Sequence, residues 1–206
     1  MILIIIATSR VSMSVVNNRV EHKENTSDPD ATPYLARPPR RYLAIAMIAL
    51  CAVSELTLGA HPVSGWAALA AMAAIFNLLN DWHVGRALFS RLALMLYGSY
   101  WLMALGYALL GAAYLGAALL PSAGRHLLTA GAMTLSIFTI MCIVSRIHSG
   151  LWLDRRLWIP SAAIVFVSAA CVRAYASFYS AGGLFSQLLL WAGLLWMAGF
   201  ALYAWH

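Results

Sequence analysis

The sequence predicts an all-α polytopic membrane protein, a bundle of about six transmembrane helices with both termini cytoplasmic. Three observations predict it. Of 206 residues, 63% are hydrophobic and only 10% charged, against roughly 25% charge in a typical soluble domain. Hydropathy stays high from residue 42 to the end, with a chain mean of +0.79, so lipid is the solvent for most of the chain. The arginines, finally, alternate between rich and poor loops, as real spans require. Soluble enzymes, secreted disulfide scaffolds and nucleic-acid binders are thereby excluded. The net charge of +6 reads as topology, not as a surface seeking phosphate.

Residues 1–7, MILIIIA, are too short to span and lack the positive segment that precedes a secretory signal's apolar core. From Thr8 to Arg41 the chain is polar, with Glu21, Lys23, Glu24, Asp28 and Asp30 and then Pro33, Pro38 and Pro39. Residues 1–41 are therefore expected to be a disordered tail, unable to bury enough apolar area to offset ordering. Residues 42–206 form the six-helix domain, with spans expected at about 42–59, 63–80, 92–120, 126–145, 158–176 and 184–204. His61-Pro62 separates the first two as a short hairpin. Asp81 to Arg91 is a polar loop, Pro121-Ser122-Ala123-Gly124 a tight turn, Arg146 to Arg156 a second polar loop, and Gly182-Gly183 introduces the last helix.

On this count one side of the membrane receives Arg37, Arg40, Arg41, Arg86, Arg91, Arg146, Arg155 and Arg156. The other receives only Arg125, with Arg173 just inside a helix. That places both termini in the cytoplasm. Trp82, Trp152, Trp158 and Trp205 then fall at cytoplasmic interfaces, where amphipathic rings are favoured.

Ionisable groups inside spans are costly unless paired or hydrated. Glu55 in the first span and Arg173 in the fifth share a depth near the outer leaflet, and are expected to be each other's partners, either as a structural ion pair or as part of a site. His61 and His126 lie on the same outer side and complete a candidate polar cluster. His83 and His148 belong to the inner side, with Arg86, Arg91, Arg146 and Asp154. If the fourth helix is continuous, His126 and His148 are separated by roughly 33 Å of rise, so one metal cannot take both. Each histidine alone reads equally as an interfacial hydrogen-bonding residue, but imidazole is the best heme or copper ligand on offer. Cys51, Cys142 and Cys171 are dispersed in apolar runs, with no metal spacing, and read as packing residues. Thr129, Ala132, Ser136, Thr139 and Cys142 recur at spacings of three or four along the fourth helix. That stripe is either a close helix contact or the lining of a polar site.

Residues 126–150, HLLTAGAMTLSIFTIMCIVSRIHSG, resemble a pattern of the NnrS family, through His126, Leu128, Thr129, Gly131, Ala132, Met133, Arg146, His148, Ser149 and Gly150. The region of Trp82 and Arg86 followed by residues 91–111 is similar to the family's preceding helix. The resemblance covers roughly residues 75–180. It implies a multi-pass protein of the bacterial inner (cytoplasmic) membrane that binds heme and copper in the response to nitric oxide and nitrosative stress. Carried over, it makes His126 and His61 outer-side metal ligands, His148 an inner one, and Arg173 or Arg146 partners for heme propionates. Family members have some twelve spans, so this chain is half-length and divergent. A homodimer or a second membrane subunit would restore the missing half, and a relative that has lost its cofactor is the other reading. Tyr97 stands where the family often has a histidine, and Arg146 and His148 are closer together than in its pattern.

Two further functions compete. A small transporter or channel subunit would use a Glu55/Arg173 site in the outer leaflet, and a structural subunit of a membrane complex would use the small-residue seam of the fourth helix. Catalysis has little support, because the chain shows no nucleophile elbow, no paired carboxylates at helical spacing and no glycine-rich phosphate loop.

Overall fold

The computed structural model describes residues 1–21, 37–82, 88–150, 156–179 and 183–206. Among these every regular element is helical: α1 (Ile2–Glu21), α2 (Pro38–Leu58), α3 (Pro62–Leu79) with a 3₁₀ turn at Asn80–Trp82, α4 (Arg91–Tyr114), α5 (Pro121–His126), a π-helical segment at Leu127–Met133, α6 (Thr134–His148), α7 (Trp158–Ala176) and α8 (Gly183–Trp205). Because α5, the π segment and α6 run on without a break, six helices among the described residues are long and apolar enough to cross a membrane. The expected six-span all-α bundle is what the chain forms. His83, Arg86, Trp152, Asp154, Arg155 and Gly182 lie outside the described residues, as do 22–36 of the expected tail.

Prolines set the helix starts more than they break helices. Pro38-Pro39, Pro62 and Pro121 all occupy first-turn positions, where the missing N–H would be unpaired in any case and the fixed φ suits the helix. Consequently α2 begins ahead of Tyr42, and the expected tight turn at Pro121–Gly124 is instead the opening turn of α5. The third span is shorter than expected, since α4 stops at Tyr114 and Gly116 turns the chain with φ +91°.

The N-terminal segment departs furthest from expectation. Residues 2–21 are helical, with Ile5, Thr8, Ser9 and Ser12 buried against the bundle. Thr8 Oγ1 lies 2.6 Å from Tyr100 Oη on α4. The apolar run supplies Ile5 to the core, and the hydroxyls of Thr8 and Ser12 are satisfied by the helix's own carbonyls of Ile4 and Thr8. A helix whose apolar part, Ile2–Ser12, is too short to span is thus stabilised by docking.

At the centre, α4 packs against α3, α5, the π segment and α6, while α2 flanks α3 and α8 packs on α7 at the periphery. Lipid is as apolar as leucine, so these contacts gain from close packing, not from the hydrophobic effect. The α3–α4 crossing shows it: a Cβ on Gly111 would stand 2.9 Å from Gly65 O, and one on Gly65 3.1 Å from Gly111 O. The helix-four stripe is a seam of the same kind, with Ala132, Ser136, Thr139 and Cys142 all buried. Ser136 and Thr139 donate to the carbonyls of Ala132 and Leu135. Cys51 and Cys142 are buried and Cys171 is exposed, as thiols outside any disulfide.

At the arginine-rich end, Asp81 joins α3 to α2. Its carboxylate accepts from Arg40 Nη1 at 2.7 Å and from the Arg37 backbone N–H at 3.0 Å. Trp82 beside it ends the second span and is buried in the bundle, with its ring about 6 Å from those of Tyr97 and Tyr100.

Candidate functional site

Three stretches of helix build a cavity of about 410 Å³ at the opposite end of the bundle from Asp81. His126, Thr129, Ala130, Met133 and Thr134 come from the α5–α6 segment, Ala169 and Arg173 from α7, and Leu189, Ala192, Gly193 and Trp196 from α8. His126 ends α5 immediately before the π-helical segment, whose wider turn re-aims the residues that follow. Small residues let this segment lie close to its neighbours, since a Cβ on Gly131 would come within 3.3 Å of Ala170 Cβ. Thr134 Oγ1 donates back to Thr129 O at 3.3 Å, across the π turn, and receives a long bond from Trp196 Nε1 at 3.4 Å. That bond ties α8 to the segment carrying His126. Such π segments recur at functional sites, and this one forms one wall of a cavity with an imidazole and a guanidinium.

The cavity is polar at one end and apolar at the other. His126 and Arg173 sit near the helix ends, while Ala169 lies about one helical turn deeper than Arg173, roughly 6 Å, and Thr134 about two turns deeper than His126, roughly 12 Å at 1.5 Å per residue.

The expected Glu55–Arg173 pair is not formed. Glu55 Oε1 accepts from Arg125 Nη2 at 2.5 Å and from Tyr114 Oη at 2.6 Å, and Arg125 Nη2 also reaches Tyr114 Oη at 2.9 Å. The reason is that helix four starts at Pro121, which moves Arg125 from a loop onto the helix just after its opening turn, where it reaches Glu55 of α2 and Tyr114 of α4. The triad ties the ends of α2, α4 and α5 together beside His126. With side chains 28% and 58% exposed, the ion pair is worth only about 1 kcal/mol or less. Glu55→Gln is accordingly expected to lower stability by no more than that, read as a small shift in detergent unfolding. A loss of several kcal/mol would show the triad to be a buried determinant of the fold.

The remaining candidates are scattered. His61 caps α3, its Nδ1 accepting the Val63 N–H at 3.2 Å. Arg146 and His148 lie in the last turn of α6, some 33 Å of helical rise from His126. Of the histidines named from the sequence and described, His126 alone borders the cavity, and Arg173 is its charged neighbour there. Arg125, Tyr114, Thr134 and Trp196 were not singled out by the sequence reading. Arg125 alone carried a signal, as the one arginine assigned to the outer loops.

The cavity's donor set suits heme better than copper. The cavity offers one imidazole for an axial position, a guanidinium suited to a carboxylate, and apolar walls. Among the described residues, however, no three His, Cys, Asp or Glu side chains converge as a metal centre needs, so no copper site is supported.

The family model described as "NnrS protein" matches residues 1–206. The chain belongs to the NnrS family. No curated protein and no solved structure was found to match it. Within this NnrS chain, three of the residues that carried the resemblance, His126, Thr129 and Met133, line the cavity. Ala132 is buried in the seam, and Arg146, His148, Ser149 and Gly150 close the far end of α6. The family's pattern thus spans the whole length of one transmembrane helix, with its first turn at the cavity.

Proposed function

We propose that this NnrS protein binds heme in the His126–Arg173 cavity and serves the response to nitric oxide and nitrosative stress from a bacterial cytoplasmic membrane, with both termini inside. The observation that carries the proposal is the pairing of one imidazole and one guanidinium on a cavity with apolar walls, at the start of the segment that matches the family pattern. His126 would hold the iron, Arg173 a propionate, and Met133, Leu189 and Trp196 the porphyrin's apolar faces. Bound heme supplies an iron centre at which a diatomic gas can be held. The chain's own contribution is to exclude water with apolar walls and to fix the imidazole at the junction of α5 and the π segment. His61, already engaged as a helix cap, and His148 with Arg146, at the other end of the span, stand outside this proposal. So does copper. The orientation is supported by Arg37, Arg40, Arg41, Arg91, Arg146 and Arg156 at one end of the described helices, against Arg125 and Arg173 at the other.

Protein purified after heme-replete expression is expected to show a Soret band that disappears in His126→Ala and persists in His148→Ala. A wild-type protein without a Soret band overturns the heme reading, and a band indifferent to His126→Ala overturns the ligand.

A further inference from the structure

Both carboxylates of the described spanning helices and their 3₁₀ extension are already held in ion pairs. Asp81 is held by Arg40 and Arg37, and Glu55 by Arg125 with Tyr114. Of the chain's five other acidic residues, Glu21 ends α1, and Glu24, Asp28, Asp30 and Asp154 lie outside the described residues. Arg173 is therefore a guanidinium in a membrane span with no acidic partner among the described residues, on the wall of a cavity whose other ionisable group, His126, carries no negative charge. A cation so placed calls for an anion from outside the chain.

Where that anion comes from is set by the direction in which the cavity opens. Thr129, Met133, Gly193 and Trp196 line it and are exposed. All four lie within spanning helices, so their exposed surface faces acyl chains and not water. Arg173 lies three residues before the end of α7, about 4.5 Å of rise, at the depth where headgroups meet the hydrocarbon. From there the cavity runs inward along Leu189 and Met133 to Trp196. A charged mouth at headgroup depth above an apolar groove, entered sideways from the bilayer, matches an amphiphile with an acidic head.

We propose that this cavity is a lateral binding site for an anionic phospholipid, whose phosphate is held by Arg173 and whose acyl chain lies against Met133, Leu189 and Trp196. The inference rests on the cavity and not on heme. Because a porphyrin with its propionates has the same layout of acid and apolar body, lipid and heme would exclude one another there.

Native mass spectrometry of the full chain, purified without added heme and titrated with phosphatidylglycerol, phosphatidylcholine or inorganic phosphate, tests the proposal. Phosphatidylglycerol is expected to be retained at least tenfold better than phosphatidylcholine, with inorganic phosphate unable to displace it. Arg173→Gln should abolish the preference and Arg173→Lys should keep it. Gly193→Leu provides a variant that leaves Arg173 in place. A Cβ at Gly193 meets nothing within 4 Å, so the added side chain extends into the cavity, and lipid retention should fall. Equal retention of the two lipids, displacement by inorganic phosphate, or undiminished phosphatidylglycerol retention in Gly193→Leu would each overturn the proposal. A Soret band without lipid preference removes this inference alone, and lipid preference without a Soret band removes the heme reading alone.

Discussion

Asp81→Ala is expected to cost about 3–5 kcal/mol of stability, the range for breaking a buried charge pair by removing one partner. The Asp81 carboxylate is 1% exposed, and Arg40, 2.7 Å away, is 27% exposed. Truncation leaves that guanidinium without its counter-charge between α2 and the end of α3. It also removes the acceptor for the Arg37 backbone N–H. Arg37 is the N-cap of α2 and makes no side-chain cap of its own, and Asp81 supplies across the bundle the acceptor for the N-cap N–H that the N3 glutamate of a capping box would supply locally. The negative charge also lies favourably at the helix's positive end. Arg37 itself, 67% exposed and 3.9 Å distant, adds little through its side chain, and Arg37→Ala should change stability by less than about 1 kcal/mol. Asp81→Asn keeps one acceptor oxygen and should fall between the two. Unfolding in detergent, followed by far-UV circular dichroism, measures all three. Asp81→Ala within 1 kcal/mol of wild type would mean that the pair is solvated and contributes nothing to the joining of α2 and α3.

The helices were legible in the sequence because each records its own solvent. A run of about twenty apolar residues bounded by arginine, proline or glycine can hardly be anything but a span, and α7 was placed at its observed ends, 158–176. The misplacements came from local signals with two meanings. Pro121 through Gly124 is a turn by composition, yet proline is equally at home in a first helical turn. The N-terminal segment failed for a different reason. Its apolar run is short and polar residues follow it, but Ile5, Thr8 and Ser12 share one face, and what orders that face is α4, which no local window contains.

The site shows a sharper limit of the same kind. Depth in a membrane can be counted along a helix, which correctly brought His126 and Arg173 to one level, but rotation about the helix axis and the choice of neighbour cannot. Glu55 and Arg173 share a depth and do not meet. Glu55 instead meets Arg125, because α2 and α5 both border the end of α4 at Tyr114. Trp196 and Thr134 were beyond reach because they meet only through the packing of α8 across the π segment, and nothing in LLTAGAM announces a π turn.

Gly124→Ala should be among the most damaging single-methyl changes in the chain, costing about 3 kcal/mol, the upper part of the range for overpacking a well-packed core. A Cβ there would lie 2.6 Å from Gly106 O and 2.6 Å from Leu110 N, both backbone atoms of α4. Neither can swing aside, so α5 must move off α4, taking with it Arg125 and His126 one and two residues on. The comparison that isolates this cause is the same substitution elsewhere on the crossing. At Gly106 the new methyl meets the Leu128 side chain at 2.7 Å, which can adjust, though Gly124 O at 3.1 Å limits the room. At Gly98 it meets only Leu135 Cδ2 at 3.8 Å, an ordinary contact, and alanine's better helix propensity should stabilise by about 0.5–1 kcal/mol. Stability is thus expected to rank Gly98→Ala above wild type, then Gly106→Ala, then Gly124→Ala. Because the displaced turn carries His126, Gly124→Ala should also weaken whatever the cavity binds, while Gly106→Ala, which leaves α5 in register, should not. A Gly124→Ala protein of undiminished stability would show that α5 stands off α4 by at least a methyl group, and that close contact with α4 is not what holds His126 at the cavity.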